Sequence, residues 1–111
     1  MIRTKLEKVK MAMLAYQTPD GRFYDILKDP ATFIDGTSAM MVASYIYRAL
    51  NNKKLPESYK CYADKISETM EQYIDSFGII HGVCGCPHFV AEGTSAESMA
   101  AYVMMNSWKN A

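Results

Sequence analysis

Gly36-Thr37-Ser38-Ala39-Met40-Met41-Val42-Ala43-Ser44-Tyr45-Ile46-Tyr47 decides the fold, because its pattern returns 57 positions later as Gly93-Thr94-Ser95-Ala96-Glu97-Ser98-Met99-Ala100-Ala101-Tyr102-Val103-Met104. Both stretches open on a glycine and hydroxyl residues suited to starting a helix. Both then run apolar almost all round, and a helix with no polar face must be buried on most sides. Working outward, the same shift lays residues 58–111 on 1–54 without gaps, and eleven of the 54 overlaid pairs are identical. Besides the Gly-Thr-Ser-Ala block these are Lys8/Lys65, Met13/Met70, Tyr16/Tyr73, Gly21/Gly78, Pro30/Pro87, Ala43/Ala100 and Tyr45/Tyr102. A period of this length signals stacked supersecondary units rather than one closed core.

Each unit begins with a second kind of helix. Ile2, Leu6, Val9, Met13 and Tyr16 are spaced by three and four residues, and Tyr59, Ala63, Ile66, Met70 and Tyr73 repeat that phase. Each set predicts an amphipathic helix with one buried stripe. Pro56 and Glu57 suit the first turn of the later one. Lys60, Asp64, Lys65, Glu68 and Glu71 fall mostly on its solvated side. Amphipathic outer helices covering apolar inner ones are the plan of an all-α toroid, with units 1–54 and 58–111 forming a single partial domain. The nine methionines read as core filler.

Long loops, roughly 18–36 and 75–93, join the helices within each unit, whereas Asn51-Asn52-Lys53-Lys54-Leu55 between units is short and polar. Helix connections are usually about 2–8 residues, and longer ones are often functional. The loops therefore gather where the inner helices begin, and that end is the candidate binding face. Gly36-Thr37-Ser38 and Gly93-Thr94-Ser95 carry two readings there. One is helix capping, with Thr94 and Glu97 forming a capping box. The other is an anion site, in which hydroxyls and free N–H groups receive a carboxylate.

The remaining candidates are weaker. His81-Gly82-Val83-Cys84-Gly85-Cys86-Pro87-His88 holds the ligand types zinc prefers, but one residue between cysteines is tighter than the usual spacing. The first unit has no matching set, so no metal is expected. Asp20, Asp25, Asp29 and Asp35 line the first loop, and paired carboxylates drive glycoside hydrolysis; taken singly, each is an ordinary turn aspartate. Arg22-Phe23-Tyr24 offers either a sugar-stacking edge or aromatics that pack back onto the helices.

Bulk properties narrow the class further. With 111 residues the chain makes one small domain. Twelve basic residues balance twelve acidic ones, so neither nucleic acid nor an anionic membrane is an expected partner. No apolar run approaches the roughly 20 residues of a membrane span. Three cysteines and a charged start are the pattern of a cytoplasmic chain.

The ordered motifs resemble a known family. Tyr16-Gln17-Thr18-Pro19-Asp20-Gly21-Arg22-Phe23-Tyr24, Asp29-Pro30, Gly36-Thr37-Ser38-Ala39-Met40, Val83-Cys84-Gly85-Cys86-Pro87 and Gly93-Thr94-Ser95-Ala96-Glu97-Ser98 are similar in order and spacing to the C-terminal part of the unsaturated glucuronyl and rhamnogalacturonyl hydrolases, glycoside hydrolase families 88 and 105. Phe23 departs from the tryptophan frequent there. The resemblance implies two α-hairpins of a six-hairpin (α/α)6 toroid. It also implies hydration of the C4=C5 enol ether of an unsaturated uronic acid, with an aspartate as general acid and base and no cofactor. The family's catalytic aspartate lies in its N-terminal portion, which nothing in this chain matches. The catalytic residue is thus unassigned, and the chain alone is expected to be inactive. Substrate contacts are expected from Thr37, Ser38, Thr94, Ser95 and Ser98, with His81 and Arg22.

Two hairpins would leave apolar inner helices without neighbours, so the expected partners are further copies of the chain or a complementing chain. Three copies would supply the twelve helices of a complete toroid. The competing reading is a noncatalytic helical-repeat domain that binds a carbohydrate or a protein.

Overall fold

The structure, a computed structural model, describes residues 2–86, 88 and 91–111, with the side chains of residues 2 and 3 left aside. Pro87 of the repeated proline pair, and the place of Ile2 in the first apolar stripe, lie outside this description.

Four helices follow the order that the repeat predicts: α1 (Ile2–Ala15), α2 (Gly36–Asn51), α3 (Lys60–Glu71) and α4 (Ala96–Lys109). A 3-10 turn over Glu57–Tyr59 leads into α3, with Pro56 as its cap. The only strands among the described residues are two-residue pieces inside the long loops: β1 (Phe23–Tyr24) with β2 (Ile34–Asp35), and β3 (Val83–Cys84) with β4 (Glu92–Gly93), each pair antiparallel. The fold is all-α.

Helix α2 is the centre of the molecule. Ala39, Met40, Ala43, Ile46 and Tyr47 on α2 are buried together with Ala63, Ile66 and Met70 on α3 and Ala101 and Met105 on α4. The short alanine side chains let the neighbouring helices approach, and the methionines fill the irregular gaps between them. The loops contribute Phe23, Ile80 and Val83, and Phe23 and Ile80 stand at equivalent repeat positions. Each long loop thus drops a large apolar side chain from the same repeat position beneath itself. A loop anchored in this way loses little entropy when it presents its other face.

Helix α2 ends on Asn52, and Lys53 N–H and Lys54 N–H then donate to Leu50 O and Ala49 O, closing a Schellman motif. Lys53 takes the left-handed position, at φ 56°, where glycine is the usual residue. The polar linker therefore turns sharply enough to start the second hairpin at once.

Three expectations need correction. The stripe on α3 is buried, but on α1 Leu6, Val9 and Tyr16 are exposed and only Met13 is half-buried. Leu6, Val9 and Met13 of α1 line an open groove shared with α2. Helix α1 is held instead by Lys10, whose Nζ donates to Glu7 at 2.6 Å and lies 4.2 Å from the centre of the Tyr59 ring. The second correction concerns α3, whose polar side is not wholly solvated. Asp64 and Glu71 accept hydrogen bonds at 2.7 Å from Tyr47 and Tyr102 of the inner helices. Burial and the Asp64 carboxylate both push the Tyr47 phenol well above its ordinary range, and burial and the Glu71 carboxylate push Tyr102 up to about 12.

The third correction concerns the helix starts. Asp35, not the Gly-Thr-Ser block, caps α2 by accepting from Thr37 N–H at 2.8 Å. Ser95, not Thr94, caps α4 by accepting from Ser98 N–H at 3.1 Å. The repeat counterpart of Asp35 is Glu92, which is exposed and is not the cap of α4. Helix α4 therefore starts three residues later in the repeat than α2.

Gly36 is where the two hairpins lock. Its N–H donates to Gly82 O at 2.8 Å. A Cβ there would stand 2.8 Å from that same oxygen and 2.5 Å from Met70 Cε. The methionine can move but the backbone oxygen cannot without opening the loop. Gly36→Ala is expected to destabilise the chain by about 1–3 kcal/mol, the usual cost of overpacking, and urea unfolding measures it.

Candidate functional site

The long-loop end is built around Asp35. One oxygen, Oδ1, accepts from Thr37 N–H on its own helix and from Cys84 N–H of the other hairpin at 3.0 Å. A single carboxylate in the interior thus satisfies two backbone donors and fixes β2 against β3. Beside it runs a chain of side chains: Cys84 Sγ lies 3.6 Å from Thr37 Oγ1, Thr37 Oγ1 2.7 Å from Ser98 Oγ, and Ser98 Oγ 2.8 Å from Ser95 Oγ. Thr37, Ser95 and Ser98 are all buried. Their hydroxyls are consumed by one another, so they hold the two inner-helix starts together.

Arg22 is locked in a similar way. Its Nε and Nη2 donate to Asp20 Oδ2 at 3.1 and 2.8 Å, and its guanidinium carbon lies 4.5 Å from the centre of the Tyr73 ring. The residue is only 7% exposed. Thr18 Oγ1 and Arg22 N–H donate to the other Asp20 oxygen. Burial works to raise the Asp20 pKa, but the hydrogen bonds from Arg22 and Thr18 outweigh it and hold the carboxyl below its ordinary range. Stability from this group is present above the ordinary carboxylate value near pH 4 and is lost as pH falls through the lower folded value. Asp20→Asn should therefore lower stability at neutral pH and flatten its decline below about pH 4, as read from urea midpoints across that range.

Three of the expected contact residues face outward. Thr94 is exposed, and its hydroxyl donates to Ile80 O at 2.8 Å. Ser38 is half-buried, its hydroxyl donating to Asp35 O at 3.3 Å. His81 is exposed, with Nε2 2.8 Å from Asp75 Oδ2. The second oxygen of Asp75 accepts from Phe77 and Ile79 N–H. The His81 hydrogen bond is the largest of the causes that hold the Asp75 carboxyl below its ordinary range.

The first-loop carboxylates are turn formers, apart from Asp25. Asp20 and Asp29 bond within their own turns, Asp29 accepting from Ala31 N–H, and Asp35 caps a helix. Phe23 is fully buried, so the loop aromatic packs back onto the helices. Tyr73 and Asp75 went unnoticed as rim residues in the sequence. The Asp75-Ser76-Phe77-Gly78 turn was the available signal, since aspartate followed by glycine three residues on favours a type I turn. Among the described residues, no three side chains of His, Cys, Asp or Glu are gathered so that they could hold a metal ion. Cys86 and His88 both face solvent. No described helix is long and apolar enough to cross a membrane.

No protein-family profile matches the sequence, and no curated protein is similar to it. Solved structures are. A possible member of the GH105 family from Klebsiella pneumoniae superposes with a TM-score of 0.71 at 17% identity, over 91% of this chain and 29% of that one. Another possible GH105 member, from Salmonella enterica, gives 0.68 at 18% identity, over 91% of this chain and 30% of that one. The chain therefore spans less than a third of the length of either neighbour. At such identity the likeness is one of fold: this chain is folded as two α-hairpins of an (α/α)6 toroid of the GH105 kind.

Proposed function

We propose that the chain is part of a glycoside hydrolase acting on oligosaccharides that carry an unsaturated uronic acid, and that the rim where α2 and α4 begin is its sugar-facing edge. The observation that supports this reading is the superposition of nine-tenths of the chain on GH105 structures, with both long loops at one end. In this reading Ser38, Thr94 and His81 meet the sugar, while Thr37, Ser95, Ser98 and Arg22 hold the rim in shape. The reaction is hydration of the C4=C5 enol ether, and a general acid for it needs a raised pKa. Asp20 and Asp75 are both held low, the wrong direction for that role. In this reading the acid belongs to the part of the toroid that this chain does not span, and the chain alone is catalytically silent.

An unsaturated uronyl disaccharide tests both parts. Titrated into the purified chain, it should shift the backbone amide signals of Ser38, Thr94 and His81; an unchanged spectrum at millimolar sugar would overturn the sugar-facing rim. The enol-ether absorbance of the same mixture should stay constant for hours. Its steady loss would show that this chain carries the catalytic group itself.

A further inference from the structure

The repeat makes it possible to ask, position by position, which surfaces of one hairpin are covered in the other. On the first hairpin Leu6 and Val9 of α1 are exposed, at 56% and 57%. Their counterparts 57 residues on, Ala63 and Ile66, are fully buried. Met41 and Tyr45 of α2 are exposed as well, and their counterparts are Ser98, fully buried, and Tyr102, half-buried. In the second hairpin this face is covered by α2. In the first hairpin the same face forms an open groove of about 340 Å³ between α1 and α2, lined almost wholly by apolar atoms.

The missing cover has a counterpart within the chain. Helix α4 is the repeat equivalent of α2, and Val103 and Met104 on it are exposed at 61% and 52%. The α2 residues at those positions, Ile46 and Tyr47, are buried in the core. One end of the strip therefore exposes a groove that lacks an α2-like helix, and the other end exposes an α2-like helix that lacks its groove. Apolar surface on this scale is favourably removed from water.

We propose that this groove receives α4 of a second copy of the chain, docked head to tail so that the contact repeats the one α2 makes with α3 and α4. The interface is heterologous: the surfaces that meet are different, and each copy keeps one of each kind free for the next. Three copies would bring together six hairpins. This inference does not depend on the sugar reading: its ligand is a second copy of the chain, and of the proposed sugar contacts only Ser38 borders the groove.

Two surface variants test the polarity of the contact. Met41→Glu with Tyr45→Glu blocks the groove, and Val103→Glu with Met104→Glu blocks the helix. Circular dichroism should show both folded, since all four side chains face solvent. In sedimentation velocity the parent chain should run as an assembly larger than a monomer, and each double variant alone as a monomer. Mixed in equal amounts, the two variants should form a one-to-one complex, because one free groove and one free helix remain. A parent chain that stays monomeric at high micromolar concentration would overturn the proposal. So would a helix-blocked variant that still dimerises alone, which would mean that two grooves pair with each other, or a mixture that stays monomeric.

Discussion

Phe23→Ala is expected to cost the chain about 3–5 kcal/mol, the usual penalty for emptying a buried aromatic site. Phe23 sits in a long loop, where an aromatic side chain is easily taken for a ligand contact, yet it is fully buried beside the α2 and α3 core. Its removal would open a void that the loop cannot fill, because the hydrogen bonds from Asp25 N–H to Phe33 O and from Thr18 N–H to Arg22 O hold the loop on either side. A small domain is stable by only about 5–15 kcal/mol in total, so the variant should be near its unfolding threshold at room temperature. The shift in urea midpoint measures the loss. Phe23→Trp, which adds volume to a filled site, should cost about 1–3 kcal/mol. A variant Phe23→Ala within 1 kcal/mol of the parent would place the ring on the surface instead.

Asp35→Ala should be nearly as damaging, at about 2–4 kcal/mol, because it removes a helix cap worth about 0.5–2 and strands a second donor worth about 1–3. The two donors belong to different hairpins: Thr37 on α2 and Cys84 on β3. Hydrogen exchange should therefore speed up at both amides in the variant, although they are 47 residues apart in the chain. A cap acting on its own helix alone would expose only Thr37. Asp35→Asn keeps an oxygen acceptor in the same place and should lose about 1 kcal/mol or less. Equal losses for the alanine and asparagine variants would mean that the charge, rather than the acceptor geometry, is what matters.

These two residues show where reading the chain succeeds and where it stops. Asp35 precedes a glycine and a threonine at the head of an apolar run, which is a legible cap signal, but the repeated Gly-Thr-Ser-Ala block points to the residues after it as the helix start. Asp35 caps α2 but its repeat counterpart Glu92 does not cap α4, so two helices that match in sequence start at different points of the repeat. Thr37, Ser95 and Ser98 were recognisable as hydroxyls at helix starts. That they would turn inward onto each other depends on β2 meeting β3, a contact between residues nearly 50 positions apart.

Periodicity carried the architecture. Side chains three and four apart lie on one face of a helix whatever surrounds it, so four helices, their order and the crowding of long loops at one end could be read from spacing alone. Which apolar stripes are covered is a different kind of fact. Leu6 and Val9 have the same spacing as Ala63 and Ile66, yet the first pair faces solvent and the second is sealed beneath α2. Spacing is local, whereas burial needs a neighbour brought from elsewhere in the chain, and only the packed molecule supplies or withholds it.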